Sequence, residues 1–155
     1  MNELLGLMTP KQIQLLRQSY SLVSASADKV AATFYRRLFE LDPPLRFLFD
    51  SNLVDQGRKL MSMLSTTIGM LDHPDELVEA LRSLGRRHAG YGVREDDYET
   101  VGTALLWTLE RGLGWAFTPE VEEAWTSLYN LIATTMREGA AQGMSAGSES
   151  DCSHG

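Results

Sequence analysis

Three histidines occur, His73, His88 and His154, and their settings differ. His154 lies in a Gly- and Ser-rich C-terminal stretch, and His73 precedes Pro74 in the turn-like run Asp72-His73-Pro74-Asp75. His88 closes the apolar series Leu77, Ala80 or Leu81, and Leu84 at helical spacing, so it alone is placed to point into a core. Such an imidazole has two uses: a core group hydrogen-bonded to a neighbour, or a ligand to a metal. Two more polar side chains interrupt apolar rows. Gln56 heads the row Leu60, Met63 or Leu64, and Thr67, and Tyr35 shares a row with Ala31 and Phe39. A buried amide or phenol costs free energy unless it finds a polar partner, so something polar is expected beside each.

A porphyrin would ask for one axial donor, apolar walls on both faces, cations near its edge and room for a sixth ligand. His88 supplies the donor, Leu84 and Val93 one wall, Phe49 and Leu60 the other, and Arg86 and Arg87 the cations. Both arginines equally suit a solvated helix face. Rival chemistries lack their residues: there is no Gly-rich phosphate loop, no box of histidines and carboxylates at ligand spacing, and no Gly-x-Ser-x-Gly elbow. The acidic run Glu95-Asp96-Asp97 suits the first turn of a helix.

The elements that must position these groups are helices. Thr9-Pro10-Lys11-Gln12 predicts a capping box followed by the stripe Ile13, Leu16, Tyr20 and Val23. Ser26 caps a second helix bearing Val30, Phe34, Leu38 and Leu41, which stops at Asp42-Pro43-Pro44 because paired prolines remove donors. A short knot, Leu45 to Phe49, and the turn Asp50-Ser51-Asn52 lead to a third helix ending near Leu71. A fourth carries His88 and ends at Gly90-Tyr91-Gly92. A fifth carries Tyr98, Val101, Leu105 and Leu109 to Gly112-Leu113-Gly114, and Thr118-Pro119-Glu120 starts a last one with Val121, Trp125, Leu128, Ile132 and Met136. No segment alternates with the period of two that marks a half-buried strand, so the fold class is all-α. Residues 1–8 read as an extension, 9–139 as one domain and 140–155 as a disordered tail.

The 155 residues are 43% hydrophobic and 23% charged, enough to bury one sizeable core. A formal net charge of −7 leaves no basic face for nucleic acid or anionic lipid, and no run approaches the roughly 20 apolar residues of a membrane span. The single cysteine, Cys152, rules out an internal disulfide, and no export signal opens the chain; a reducing cytoplasm is the expected compartment.

Taken in order, Thr33-Phe34-Tyr35-Arg36-Arg37-Leu38-Phe39, Pro43, Leu48-Phe49, Gln56, Arg87-His88, Tyr91-Gly92-Val93, Tyr98 and Val101-Gly102 resemble bacterial single-domain haemoglobins and the globin part of flavohaemoglobins, from Thr9 to Glu138. The resemblance implies a globin fold of crossed helices around haem b (iron protoporphyrin IX). His88 matches the proximal iron ligand, Phe49 the ring that wedges the porphyrin, Tyr35 and Gln56 the distal pair, and Leu60 the apolar distal residue, with Leu84, Arg87, Val93, Tyr98 and Val101 also lining the cofactor. The implied function is reversible binding of dioxygen, or of NO or CO, at a pentacoordinate iron for transport or storage. The alternative is an enzyme, a nitric oxide dioxygenase working with a separate reductase; the remaining reading is a cofactor-free helical module. In the ferric state the sixth ligand would be water, the Tyr35 phenolate, the Lys59 amine or none.

The chain departs from the family in three places. Where flavohaemoglobins place a proximal glutamate it has Ala140, and Glu138, two residues earlier, points elsewhere on a helix, which weakens the electronic push on the histidine. The turn between Phe49 and Gln56 is short. No reductase domain is expected after the globin part.

Overall fold

The computed structural model describes residues 8–49, 52–90 and 93–145. Among them every regular element is helical, as the periodicity predicts: α1 (Pro10–Ser24), α2 (Ala27–Leu41), a 3-10 segment (Pro43–Leu48), α3 (Leu53–Gly69), α4 (Pro74–Gly90), α5 (Glu95–Leu113), a 3-10 turn (Gly114–Ala116) and α6 (Pro119–Ser145). No described helix is long and apolar enough to cross a membrane.

Helix ends follow local chemistry. The Thr9 hydroxyl accepts from the Gln12 N–H and the Gln12 side chain accepts from the Thr9 N–H, both at 3.0 Å, completing the predicted capping box. At α5 the acidic run proves to be a cap: Asp97, 2% exposed, accepts from the Arg94 N–H at 2.8 Å and from its guanidinium at 3.2 Å. The Thr118 hydroxyl accepts from the Val121 N–H at 3.2 Å to open α6. Ser26, by contrast, precedes α2 but makes no side-chain capping bond.

The core is one cluster fed by all six α-helices. Trp125, fully buried on α6, donates its indole N–H to the Ser19 hydroxyl of α1 at 2.8 Å, and Ser19 donates in turn to the Leu15 carbonyl at 2.7 Å. The predicted α6 stripe of Val121, Trp125, Leu128, Ile132 and Met136 is buried throughout. Packing runs through α2 on α3, α2 on α5 and α4 on α6, with α1 lying across α6; α3 and α4 are not a principal packing pair although only residues 70–73 join them, and neither are α4 and α5.

Three expectations are corrected. Leu41, predicted to face the core, is 39% exposed because α2 reaches the surface as it ends. The tail boundary at 139/140 is wrong: α6 continues through Ser145, because Gly139 is a packing position inside the helix and Ala140 and Ala141 favour helix. On α3 the deepest row is Gly57, Met61, Leu64 and Ile68; of the expected row, Thr67 is buried and the alternative between Met63 and Leu64 resolves to Leu64, while Gln56 and Leu60 lie beside the deepest row, half-buried. Residues 1–7 and 146–155, Asp50-Ser51 and Tyr91-Gly92 lie outside the described residues.

Candidate functional site

His88 sits in the last turn of α4, half-buried. Its Nδ1 lies 3.0 Å from the Leu84 carbonyl oxygen. A carbonyl only accepts, so Nδ1 carries the proton and the ring lone pair resides on Nε2. Burial lowers the pKa of the imidazole, with Arg87 adding in the same direction and the Leu84 bond opposing them. A neutral ring with an oriented Nε2 lone pair is the form a metal ion takes, and a carbonyl holding the other nitrogen is the usual support for such a ligand.

The deep face of α4 is Leu77, Val78, Leu81 and Gly85, which resolves the sequence alternative in favour of Leu81; Ala80 is exposed. Leu84 and His88 flank that face, both half-buried. Val93 closes the helix end by donating its N–H to the His88 carbonyl at 3.2 Å. Arg87 is exposed and donates to the Ser83 hydroxyl at 3.1 Å, while Arg86 pairs with Glu79 at 3.9 Å. On α5, Tyr98 is buried and its carbonyl accepts from the Tyr129 hydroxyl at 2.6 Å. The Arg137 guanidinium lies over the Tyr98 ring, 5.1 Å from its centre, and Glu138 pairs with Arg82 at 3.3 Å. Arg137 also pairs with Glu95 at 3.8 Å, and the Glu95 and Asp97 carboxylates act on Tyr98 alongside the Arg137 cation.

On α2, Tyr35 is 5% exposed, its ring centre 5.0 Å from Phe34, 5.3 Å from Phe49 and 6.0 Å from Phe39. Its hydroxyl donates to the Gln56 carbonyl at 3.3 Å. The structure thus brings Tyr35 and Gln56 together through the Gln56 backbone. Burial pushes the Tyr35 phenol up to about 12, so it stays protonated and a donor. Lys59 is exposed on α3. A cleft of about 510 Å³ between α2, the 3-10 segment and α3 is bordered by Tyr35, Phe39, Val54 and Gly57, among others, but not by His88 or Leu60.

The half-buried apolar side chains fit a flat apolar group. Leu60, Leu84, Val93, Val101 and Phe49 pack against the core without being enclosed by it, and they come from three helices and two connections that do not close on one another as principal packing pairs. Among the described residues no group of three or more His, Cys, Asp or Glu is placed to hold a bare metal ion, so a ligand set built on His88 alone suits a metal that brings its own macrocycle.

Sequence reasoning missed the glycines. A Cβ at Gly57 would stand 2.7 Å from the Ala31 Cβ, so α3 lies close on α2 only because position 57 has none. Gly85 and Gly139 serve the α4–α6 crossing, where an added Cβ would meet backbone and not a side chain. Isolated glycines inside helical patterns were the available sign, since each costs helix stability without a packing reason.

The comparisons with known proteins agree with this arrangement. The Globin family model matches residues 32–136. Neuroglobin-1 of Oncorhynchus mykiss is 30% identical over 151 residues, covering 87% of this chain and 94% of that protein. Neuroglobin of Chaenocephalus aceratus is 28% identical over 149 residues with the same coverage. Among solved structures, a hexacoordinated haem protein from an anhydrobiotic tardigrade superposes with a TM-score of 0.79 at 20% identity, covering 86% of this chain and 96% of that one. A flavohaemoglobin from Malassezia yamatoensis, with bound FAD and haem, superposes with a TM-score of 0.71 at 23% identity, covering 87% of this chain and 37% of that one. The helical architecture and the family match over residues 32–136 lead to one conclusion: the chain belongs to the globin family, whose fold houses a haem and a small gaseous ligand.

Proposed function

We propose that this globin holds haem b through His88 Nε2 and reversibly binds dioxygen, or another diatomic gas such as NO or CO, with Tyr35 and Gln56 as donors on the opposite side. The observation that carries the reading is the Nδ1 hydrogen bond to Leu84, which orients the imidazole and leaves the lone pair on Nε2. When bound, the haem supplies the iron that ligates the gas. The chain supplies the rest. Phe49, Leu60, Leu84, Val93 and Val101 would exclude water from the porphyrin faces, and Arg87, exposed beside His88, would supply a cation for a propionate. Tyr35 keeps its proton and can turn its hydroxyl from the Gln56 carbonyl to a ligand; a 3.3 Å bond is long and gives way readily. The Gln56 amide adds a second donor. Two such bonds to a polarised gas slow its escape.

The enzymatic alternative, oxidation of nitric oxide to nitrate with electrons from a separate reductase, uses the same pocket. Turnover of nitric oxide with added reductant distinguishes the two.

The test is an absorption spectrum of the purified protein, ferric and dithionite-reduced, with and without oxygen and carbon monoxide, beside His88→Ala. The expected result is a Soret band that moves with each gas and collapses in the variant. No band after haem supplementation would overturn the reading.

A further inference from the structure

The α4–α6 crossing is made of backbone. A Cβ added at Gly85 would overlap the carbonyl oxygen of Met136, three residues before Gly139, and would stand 2.7 Å from the Met136 Cα. A Cβ added at Gly139 would overlap the carbonyl oxygen of Arg82, three residues before Gly85, and would stand 2.7 Å from the Arg82 Cα. The two contacts are equivalent, each glycine on the other helix's backbone three residues before its glycine, so the crossing is locally two-fold. Each glycine rests on the carbonyl that precedes the other. Around it Leu77, Val78 and Leu81 of α4 and Ile132 and Met136 of α6 are buried, and the Arg82–Glu138 pair at 3.3 Å closes one edge.

This crossing governs where His88 stands. Side chains that separate helices can change rotamer, whereas two backbones in contact have no such freedom, and sliding would break both seats together. His88 is three residues beyond Gly85, about 4.5 Å along the helix axis, and its ring is tied back to Leu84. Less than one turn of rigid helix thus separates the seat from the ligand. Among its principal packing pairs α4 has only α6, so the α6 crossing is the main restraint on its position.

We propose that Gly85 and Gly139 are positioning residues for the proximal histidine: their backbone crossing sets the height and tilt at which Nε2 is presented to the iron. The proposal rests on the haem reading above. Nonbonded heavy atoms settle at about 3.5 Å or more, so an added methyl must part the helices by about 1 Å. Metal–ligand distances hold to about 0.2 Å, so a displacement of that size is felt at the iron.

The experiment is resonance Raman of the iron–histidine stretch in the haem-loaded, deoxygenated ferrous protein, with haem transfer to an acceptor apoprotein as a second readout. Gly85→Ala and Gly139→Ala are compared with wild type and with Gly69→Ala, whose added Cβ meets nothing within 4 Å. The expected result is a displaced band and haem loss faster by about 10- to 100-fold in the first two, with the control unchanged. Repeating the series in His88→Gly with imidazole supplied in solution separates positioning from general damage. There the iron's ligand is no longer attached to α4, and Gly85→Ala should leave the iron–imidazole band in place. A shift that persists with free imidazole, or no shift with the tethered histidine, overturns the proposal. If the alanine variants do not fold, wild type alone decides against His88→Gly with imidazole: different bands support a position imposed by α4, and coincident bands overturn it. Absence of any iron–histidine band in haem-loaded wild type would instead sink the haem reading and the positioning role with it.

Discussion

The two sides of the candidate site are both built on glycine crossings, and the crossings differ in kind. On the Tyr35 side, α3 approaches α2 where Gly57 faces the Ala31 methyl, a contact between one backbone and one small side chain. On the His88 side, α4 meets α6 carbonyl to glycine in both directions, with no side chain between. An alanine methyl has no rotamer to give, so both crossings must open as bodies. A Cβ at Gly57 would press on one methyl at 2.7 Å, whereas a Cβ at Gly85 would overlap a backbone carbonyl and the chain behind it. The polar groups follow the same division. Tyr35 has a long 3.3 Å bond to a carbonyl, which it can exchange; His88 has a 3.0 Å bond within its own helix, which fixes it. The molecule pairs an adjustable phenol with a fixed imidazole.

That comparison can be broken in order of effect. His88→Ala removes the axial donor, and haem retention should fall by more than about 100-fold, beyond the loss that follows removal of a supporting residue; haem transfer kinetics measure it. The glycines should then separate the two sides in chemical denaturation. Gly85→Ala should cost more than about 4 kcal/mol, the range of severe core lesions, and Gly57→Ala about 1–3 kcal/mol, as in ordinary overpacking. Equal losses would erase the distinction. Tyr35→Phe should speed gas dissociation by about 5- to 10-fold, the worth of one hydrogen bond, read by stopped flow, with the proximal Raman band unchanged. The smallest effect is alkaline. Because the folded Tyr35 phenol is held up to about 12 against an ordinary 10.0, its contribution to stability is complete below pH 10 and is lost as pH rises from 10 to 12. Haem-free Tyr35→Phe should show a shallower decline over that interval than the haem-free parent.

Much of this architecture is legible in the residues, where local rules apply. Thr9, Pro10 and Gln12 announce α1 because a capping box needs only neighbours in sequence, and Pro43-Pro44 ends α2 because proline lacks a donor. The α6 stripe from Val121 to Met136 is equally plain at helical spacing. What escapes is set between helices. Gly57 turns its own row inward and moves Gln56 and Leu60 to the half-buried row beside it, a rotation that hydrophobic spacing does not encode. Gly139 reads as the end of a helix because glycine is a helix breaker in isolation, yet here its missing side chain is what lets α6 lie on α4 and run on to Ser145. Arg137 over Tyr98 is likewise a tertiary placement, invisible to a search for a carboxylate at that point.

The indole bond from Trp125 to Ser19 ties α6 to α1, and its consequence is temporal. During synthesis α1 leaves the ribosome first and waits for more than a hundred residues before its buried hydroxyl meets the donor that satisfies it. The seat for α4 arrives on the same late helix. A nascent chain is therefore an open array of helices until its C-terminal part emerges, and a cofactor offered to it earlier would find an imidazole with no fixed address.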